Sequence, residues 1–149
     1  MVISTKCQYA LRAMLEVSRS SSGVVMTIEK IAREQRVPKR YLEAILNQLR
    51  KGGLLEAQRG RRGGYRLAKD VREITVGEVV KLIDGPIRAV ACAEERRGAS
   101  CPQRDNCVFV PTWRKVQDAI NQALDSTTFS QLLKLESEAN QKSSPSYVI

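Results

Sequence analysis

The sequence predicts a mostly α-helical chain carrying one small β-hairpin, and three observations lead there. Apolar residues recur at helical spacing through most of the 149 residues. The stretch 54–68 breaks that rhythm with two short strand-like runs, 54–58 and 65–68, around "RGRRGG". Charge is concentrated in the same half: residues 27–72 hold thirteen Lys and Arg against five Asp and Glu, which accounts for +8 of the formal net charge of +9. So local a field suits a domain that binds a polyanion, because each neutralised phosphate releases condensed counterions. The plainer alternative is a solvated basic surface kept for solubility.

Taken in order, Ser4 or Thr5 caps a first helix to about Arg19, with Ile3, Cys7, Ala10, Met14 and Val17 on its apolar ladder and "SRSSSG" ending it. Thr27 caps "IEKIAREQ", with Glu29 in the favourable first turn. Pro38 starts the next helix, in which Leu42, Ile45, Leu46 and Leu49 form the buried stripe. Lys39, Arg40, Tyr41, Glu43, Asn47 and Arg50 lie on the other faces, and Gly52 and Gly53 stop the run.

Two short helices joined by a sharp turn, the second basic at its N-terminal end, make a helix-turn-helix whose second helix fits the DNA major groove. The hairpin then reads as a wing. Its glycines permit close backbone approach, and Arg59, Arg61 and Arg62 at the tip supply forked charge for a narrow groove or phosphates, which packing would not reward. On charge, Lys39, Arg40 and Arg50 of that helix and Arg59, Arg61 and Arg62 of the wing are expected to face DNA.

Beyond the wing, Thr75, Val76, Gly77 and Glu78 form a capping-box pattern opening a short helix that Asp84, Gly85 and Pro86 end. A cysteine-rich stretch follows, "CAEERRGASCPQRDNC". Pro111 opens a longer helix to about Asp125 with Trp113, Val116, Ile120 and Leu124 on one stripe. A lone helix cannot bury that stripe; pairing with a second copy does, and a symmetric dimer covers two half-sites one DNA turn apart. The alternative is a helix folded back on its own domain. Ser126, Thr127 and Thr128 cap a short last helix through Leu133. The organisation expected is a DNA-binding unit over 1–72, a connecting helix over 73–87, a sensor loop over 88–110, the dimerisation and short terminal helices over 111–135, and a loose tail over 136–149.

Other classes are disfavoured. Without histidine there is no Ser–His or Cys–His pair, and no C-x-x-C or phosphate loop supports an enzyme. No secretion signal opens the chain and no apolar run approaches the roughly 20 residues that span a bilayer, so a cytoplasmic location is expected, with thiols kept reduced. An RNA-binding winged helix would want stacking aromatics, and the basic segment offers Tyr41 and Tyr65 alone.

Cys92, Cys101 and Cys107 are spaced C-x8-C-x5-C, which fits no common zinc-finger pattern, and structural zinc wants four ligands. Iron-sulfur clusters take thiolates first and accept carboxylate or other donors in the remaining position. "YALRAML", "YLEAILNQLRKGGLLEAQRGRRGGYRLAKD", "ITVGEVVKLIDG" and the three cysteines together resemble the IscR/NsrR-type regulators of the Rrf family, over about residues 1–135. That resemblance implies a dimeric winged-helix transcription regulator whose DNA binding is switched by a 2Fe-2S or 4Fe-4S cluster. It implies DNA contacts from Lys39, Arg40, Tyr41, Glu43 and Arg59, and cluster ligation by Cys92, Cys101 and Cys107 with a non-cysteine fourth ligand. Some members donate that ligand across the dimer from the position matching Gln8. Lys39 and Arg40 stand where the family carries small polar residues, and the first cysteine spacer is longer than the family's.

The fourth ligand stays open between Cys7, Gln8 and the loop carboxylates Glu94, Glu95 and Asp105; Cys7 also sits on the apolar ladder, where a buried core thiol is the plain reading. A metal-free switch is the second sensing chemistry. Arg96, Arg97 and Arg104 favour thiolates, and Cys101 and Cys107 are the pair to form a disulfide.

Overall fold

The computed structural model of the chain describes residues 3–20, 23–88, 90 and 106–143. Ser4 opens α1 (Thr5–Ser18): its Oγ accepts the Cys7 N–H at 3.0 Å, satisfying one donor that a helix start leaves unpaired. Ala10, Ala13, Met14 and Val17 are buried, and α1 runs through the centre of the domain against the helices that follow. Glu16 is buried too, held by Arg19 and by Gln35, whose Nε2 donates at 2.7 Å.

Thr27 opens α2 (Ile28–Gln35) by accepting the Lys30 N–H on its hydroxyl. The helix ends in a Schellman turn: the Val37 N–H donates to Ala32 O at 3.1 Å and the Arg36 N–H to Arg33 O at 3.4 Å. This puts Arg36 at φ 52°, ψ 41°, a left-handed conformation that costs a side-chain-bearing residue roughly 1 kcal/mol. After Val37 and Pro38, α3 (Lys39–Lys51) buries Leu42, Ile45, Leu46 and Leu49, each contributing about 1.5–3 kcal/mol by removal from water.

Strands β1 (Leu55–Gln58) and β2 (Gly64–Leu67) pair antiparallel, with Leu55 opposite Leu67 and Gln58 opposite Gly64. The pairing starts one residue later on the first strand than the expected 54–58, and on the second it takes in Gly64 and stops before Ala68. Gly64 joins because it sits directly across from Gln58. Met26 adds a bridge on the other edge of β2, exchanging two 2.8 Å hydrogen bonds with Tyr65. A Cβ at Gly64 would lie 2.3 Å from the Met26 carbonyl oxygen, so that close approach requires glycine.

The expected capping box opens α4 (Val76–Asp84): Thr75 Oγ1 accepts the Glu78 N–H at 3.2 Å and Glu78 Oε2 accepts the Thr75 N–H at 2.9 Å. The long helix, α5 (Val110–Ser126), buries none of its residues in the single chain; Trp113, Ile120 and Leu124 are partly covered and Val116 is exposed. Its last turn meets α4 through Lys81 and Asp125 at 2.6 Å.

The last helix, α6 (Phe129–Ser143), corrects the expectation of a short helix through Leu133 followed by a tail from 136. Thr128 and Gln131 cap it reciprocally, and no glycine or proline interrupts it before Pro145. Phe129 is fully buried in the core beside α1, and Arg19 of α1 pairs with Glu136. The turn before α6 is tied to the turn before α4, with Val76 N–H donating to Thr127 O at 2.8 Å and Phe129 N–H to Ile74 O at 3.0 Å. α5 thus packs back against α4, and α6 closes the core with Phe129.

Candidate nucleic-acid interface

Burying the Leu42–Ile45–Leu46–Leu49 stripe turns the opposite face of α3 to solvent. Lys39, Arg40, Tyr41, Glu43, Asn47 and Arg50 are all exposed there, as their spacing predicts. Tyr41 is 51% exposed for a large ring, and it is not loose: its ring centroid is 6.3 Å from that of Tyr9 on α1, and the Arg40 guanidinium lies 5.4 Å over its face. Lys39 Nζ reaches Glu29 on α2 at 2.6 Å, which raises the ammonium pKa and lowers that of the carboxylate. Arg50 donates to Asn47 Oδ1 at 2.9 Å.

The wing separates its arginines into two kinds. Arg66 on β2 pairs with Glu56 directly across the strands, and Arg72 beyond it pairs with Asp70, holding that carboxyl down at about 2. Arg59, Arg61 and Arg62 at the tip are exposed and make no ion pair among the described residues. The tip closes through the Gly63 N–H donating to Gly60 O at 2.9 Å, and a Cβ at Gly63 would come within 2.5 Å of the Gln58 carbonyl oxygen. Three uncommitted guanidinium groups on a tight turn, and the exposed cations of α3, are groups able to engage phosphates and base edges.

Sequence reasoning missed Tyr9 as the support beneath Tyr41 and Glu29 as the partner of Lys39. Both belong to other helices, and their contacts follow from how α1 and α2 cross α3, which spacing within one helix does not reveal. Gln48 was missed for the same reason: it accepts from Lys6 Nζ at 2.7 Å and donates to Leu82 O at 2.9 Å, linking α3 to α1 and α4.

Of the expected cluster ligands, Cys92 and Cys101 lie outside the described residues, as do Glu94, Glu95, Asp105 and the loop arginines. Cys107 lies just before α5, partly buried, with no disulfide partner among the described residues. Cys7 is fully buried, and burial first, then the charge of Asp84 and a hydrogen bond to it, push its thiol up to about 11. Gln8 is exposed, its side-chain amide donating to Ile3 O at 3.2 Å. Among the described residues no helix is long and apolar enough to cross a membrane.

A helix-turn-helix with a cationic recognition helix and an arginine-tipped hairpin defines a winged helix-turn-helix DNA-binding protein. The chain belongs to the Rrf2 family, described as an iron-dependent transcriptional regulator, whose model matches residues 3–135. A Rhodobacter capsulatus regulator described as rrf2-like is 42% identical over 109 residues, 71% of each chain. The HTH-type transcriptional regulator IscR of Escherichia coli is 33% identical over 133 residues, 89% of this chain and 80% of its own. Among solved structures, CymR, described as the global cysteine regulator of B. subtilis, superposes with a TM-score of 0.74 at 30% identity, covering 91% of this chain and 98% of its own. The protein is a transcription regulator and not an enzyme. Family membership establishes the class of protein but not its signal, since both an IscR and a cysteine regulator stand among its relatives.

Proposed function

We propose that the protein is a homodimeric, cytoplasmic, operator-binding regulator whose DNA affinity is set by an iron-sulfur cluster held by Cys92, Cys101 and Cys107. The observation that carries this reading is the position of the cysteine stretch in the chain between α4 and α5, with Cys107, which has no disulfide partner among the described residues, at the foot of α5. When bound, the cluster supplies an iron centre whose presence depends on iron, oxygen and reactive species. Ligation by the three thiolates ties residues 92–107 together, and Cys107 passes that constraint to α5. Through Trp113, Val116, Ile120 and Leu124, α5 pairs with its copy in the partner subunit. A change at its foot then alters the spacing of the two α3 helices. Lys39, Arg40, Tyr41, Glu43 and Arg50 enter the major groove, while Arg59, Arg61 and Arg62 reach the flanking backbone or minor groove.

A second reading is favoured by the Cys107 thiol, which has no disulfide partner among the described residues, and by the likeness to CymR: a disulfide switch in which Cys101 and Cys107 join without metal. Anaerobic reconstitution followed by visible absorbance and duplex binding separates the two. Under the cluster reading the protein is coloured, and Ala at any one of Cys92, Cys101 or Cys107 removes the colour. Under the disulfide reading it stays colourless, while oxidant changes duplex binding and mass spectrometry finds the Cys101–Cys107 link. Colourless protein with oxidant-insensitive binding rejects both. Tighter binding to matched duplex RNA than to DNA would reject operator binding itself.

A further inference from the structure

Arg36 is the one non-glycine residue at positive φ among the described residues. It occupies the left-handed position of the Schellman turn closing α2, where glycine fits without strain. Its side chain is exposed and has no hydrogen bond or ion pair among the described residues. Glycine at this position would allow the same turn and its hydrogen bonds, so the Arg36 side chain adds strain without a contact inside the fold, which calls for a role outside it.

The position of the turn indicates that role. In a helix-turn-helix the first helix crosses the phosphate backbone and the second enters the groove, so the connecting turn runs along the groove edge, where phosphates lie. The connection here is Arg36, Val37 and Pro38. Val37 is buried at 3% exposure, and Pro38 has no N–H to donate. Lys39, the next cation, is already engaged by Glu29 at 2.6 Å. Arg36 is left as the uncommitted donor of the turn. We propose that Arg36 is a phosphate-contacting positioning residue, its left-handed turn holding the guanidinium at the groove edge and setting how α3 enters. This inference rests on the DNA-binding reading of α3 and the wing. The competing role is internal: a cation at the C-terminal end of α2 interacts favourably with the helix dipole and would support stability instead.

Arg36→Gly separates the two, because it removes the charge while relieving the backbone. The probe is a random-sequence DNA duplex long enough for two half-sites, with binding measured against salt and thermal unfolding measured alongside. The expected result is an unfolding midpoint equal to or above wild type, with a log–log salt slope less negative by about 1.8, from one Arg36 in each of the two subunits. Between 50 and 200 mM salt that difference means wild type loses roughly twelvefold more affinity than the variant. Arg36→Lys, which keeps the charge, should retain the wild-type slope. A glycine variant with wild-type slope and affinity overturns the proposal, as does one with a lowered midpoint and an unchanged slope. A wild-type protein with a flat salt dependence, or without duplex binding, overturns the DNA-binding reading and this inference with it, and is distinguishable because it is seen before any substitution.

Discussion

Packed inside the domain next to Asp84, the Cys7 thiol pays for ionisation twice, by leaving water and by facing a carboxylate. Its pKa rises from 9.0 in the unfolded reference to about 11 in the fold. The native state thus holds the proton longer than the unfolded chain. The neutral thiol's contribution is fully present below pH 9 and lost as pH rises toward 11. Cys7→Ala should lower stability by about 1 kcal/mol near neutrality through the small cavity it leaves. It should also flatten the alkaline fall in stability seen in denaturant titrations over that pH range. Reconstituted cluster absorbance should be unaffected, because a thiol kept protonated is a core residue; loss of the colour in Cys7→Ala would make Cys7 the fourth ligand instead.

Elements depend on contacts that a single residue admits. At Gly64, the chain brings β2 against Met26 so closely that a methyl group would meet the Met26 carbonyl oxygen and carbon, which are backbone atoms and cannot swing away. Gly64→Ala should therefore break the Met26–Tyr65 bridge and cost about 1–3 kcal/mol in chemical denaturation, with the wing the first part to lose amide protection in hydrogen exchange. For α5 the argument runs in the other direction, from contacts that one chain does not supply. Val116 is 40% exposed and nothing on the helix is buried, so its apolar stripe has yet to find its cover. Ile120→Asp should turn a sedimenting dimer into monomers, since a carboxylate without a partner in that interface costs several kcal/mol at each of two copies. A dimer that persists in Ile120→Asp would move the interface off this face.

On the scale of the whole molecule, charge and topology act together. The +8 carried by residues 27–72 comes from Arg36, α3 and the wing with the stretch that follows it, since Glu29 and Glu34 cancel Lys30 and Arg33 in α2, and folding brings α3 and the wing tip to the surface with Arg59, Arg61 and Arg62 uncommitted. Duplex binding should fall steeply with salt, by a log–log slope of about −0.9 for every phosphate engaged. Charge-reversing Arg61 and Arg62 together to Glu should reduce that slope without lowering the unfolding midpoint. A lowered midpoint would mean that the tip arginines support the hairpin itself.

The sequence by itself determined the helix-turn-helix, the wing and the capping box of α4, because these depend on neighbours three or four residues apart: the Leu42, Ile45, Leu46 and Leu49 period, the Thr75–Glu78 reciprocity, the glycines around Arg61 and Arg62. It also determined the field, since charge adds up without regard to fold. Only the tertiary structure decided what depends on long separations. It extended α6 to Ser143 by burying Phe129 near α1 and pairing Glu136 with Arg19, an encounter 117 residues apart in the chain. It set Tyr9 under Tyr41 and gave Lys39 its partner in Glu29. It also placed Cys7 in the core, where desolvation and Asp84 keep the thiol neutral, a state that helical spacing leaves undecided because one ladder position serves a core atom and a ligand equally well.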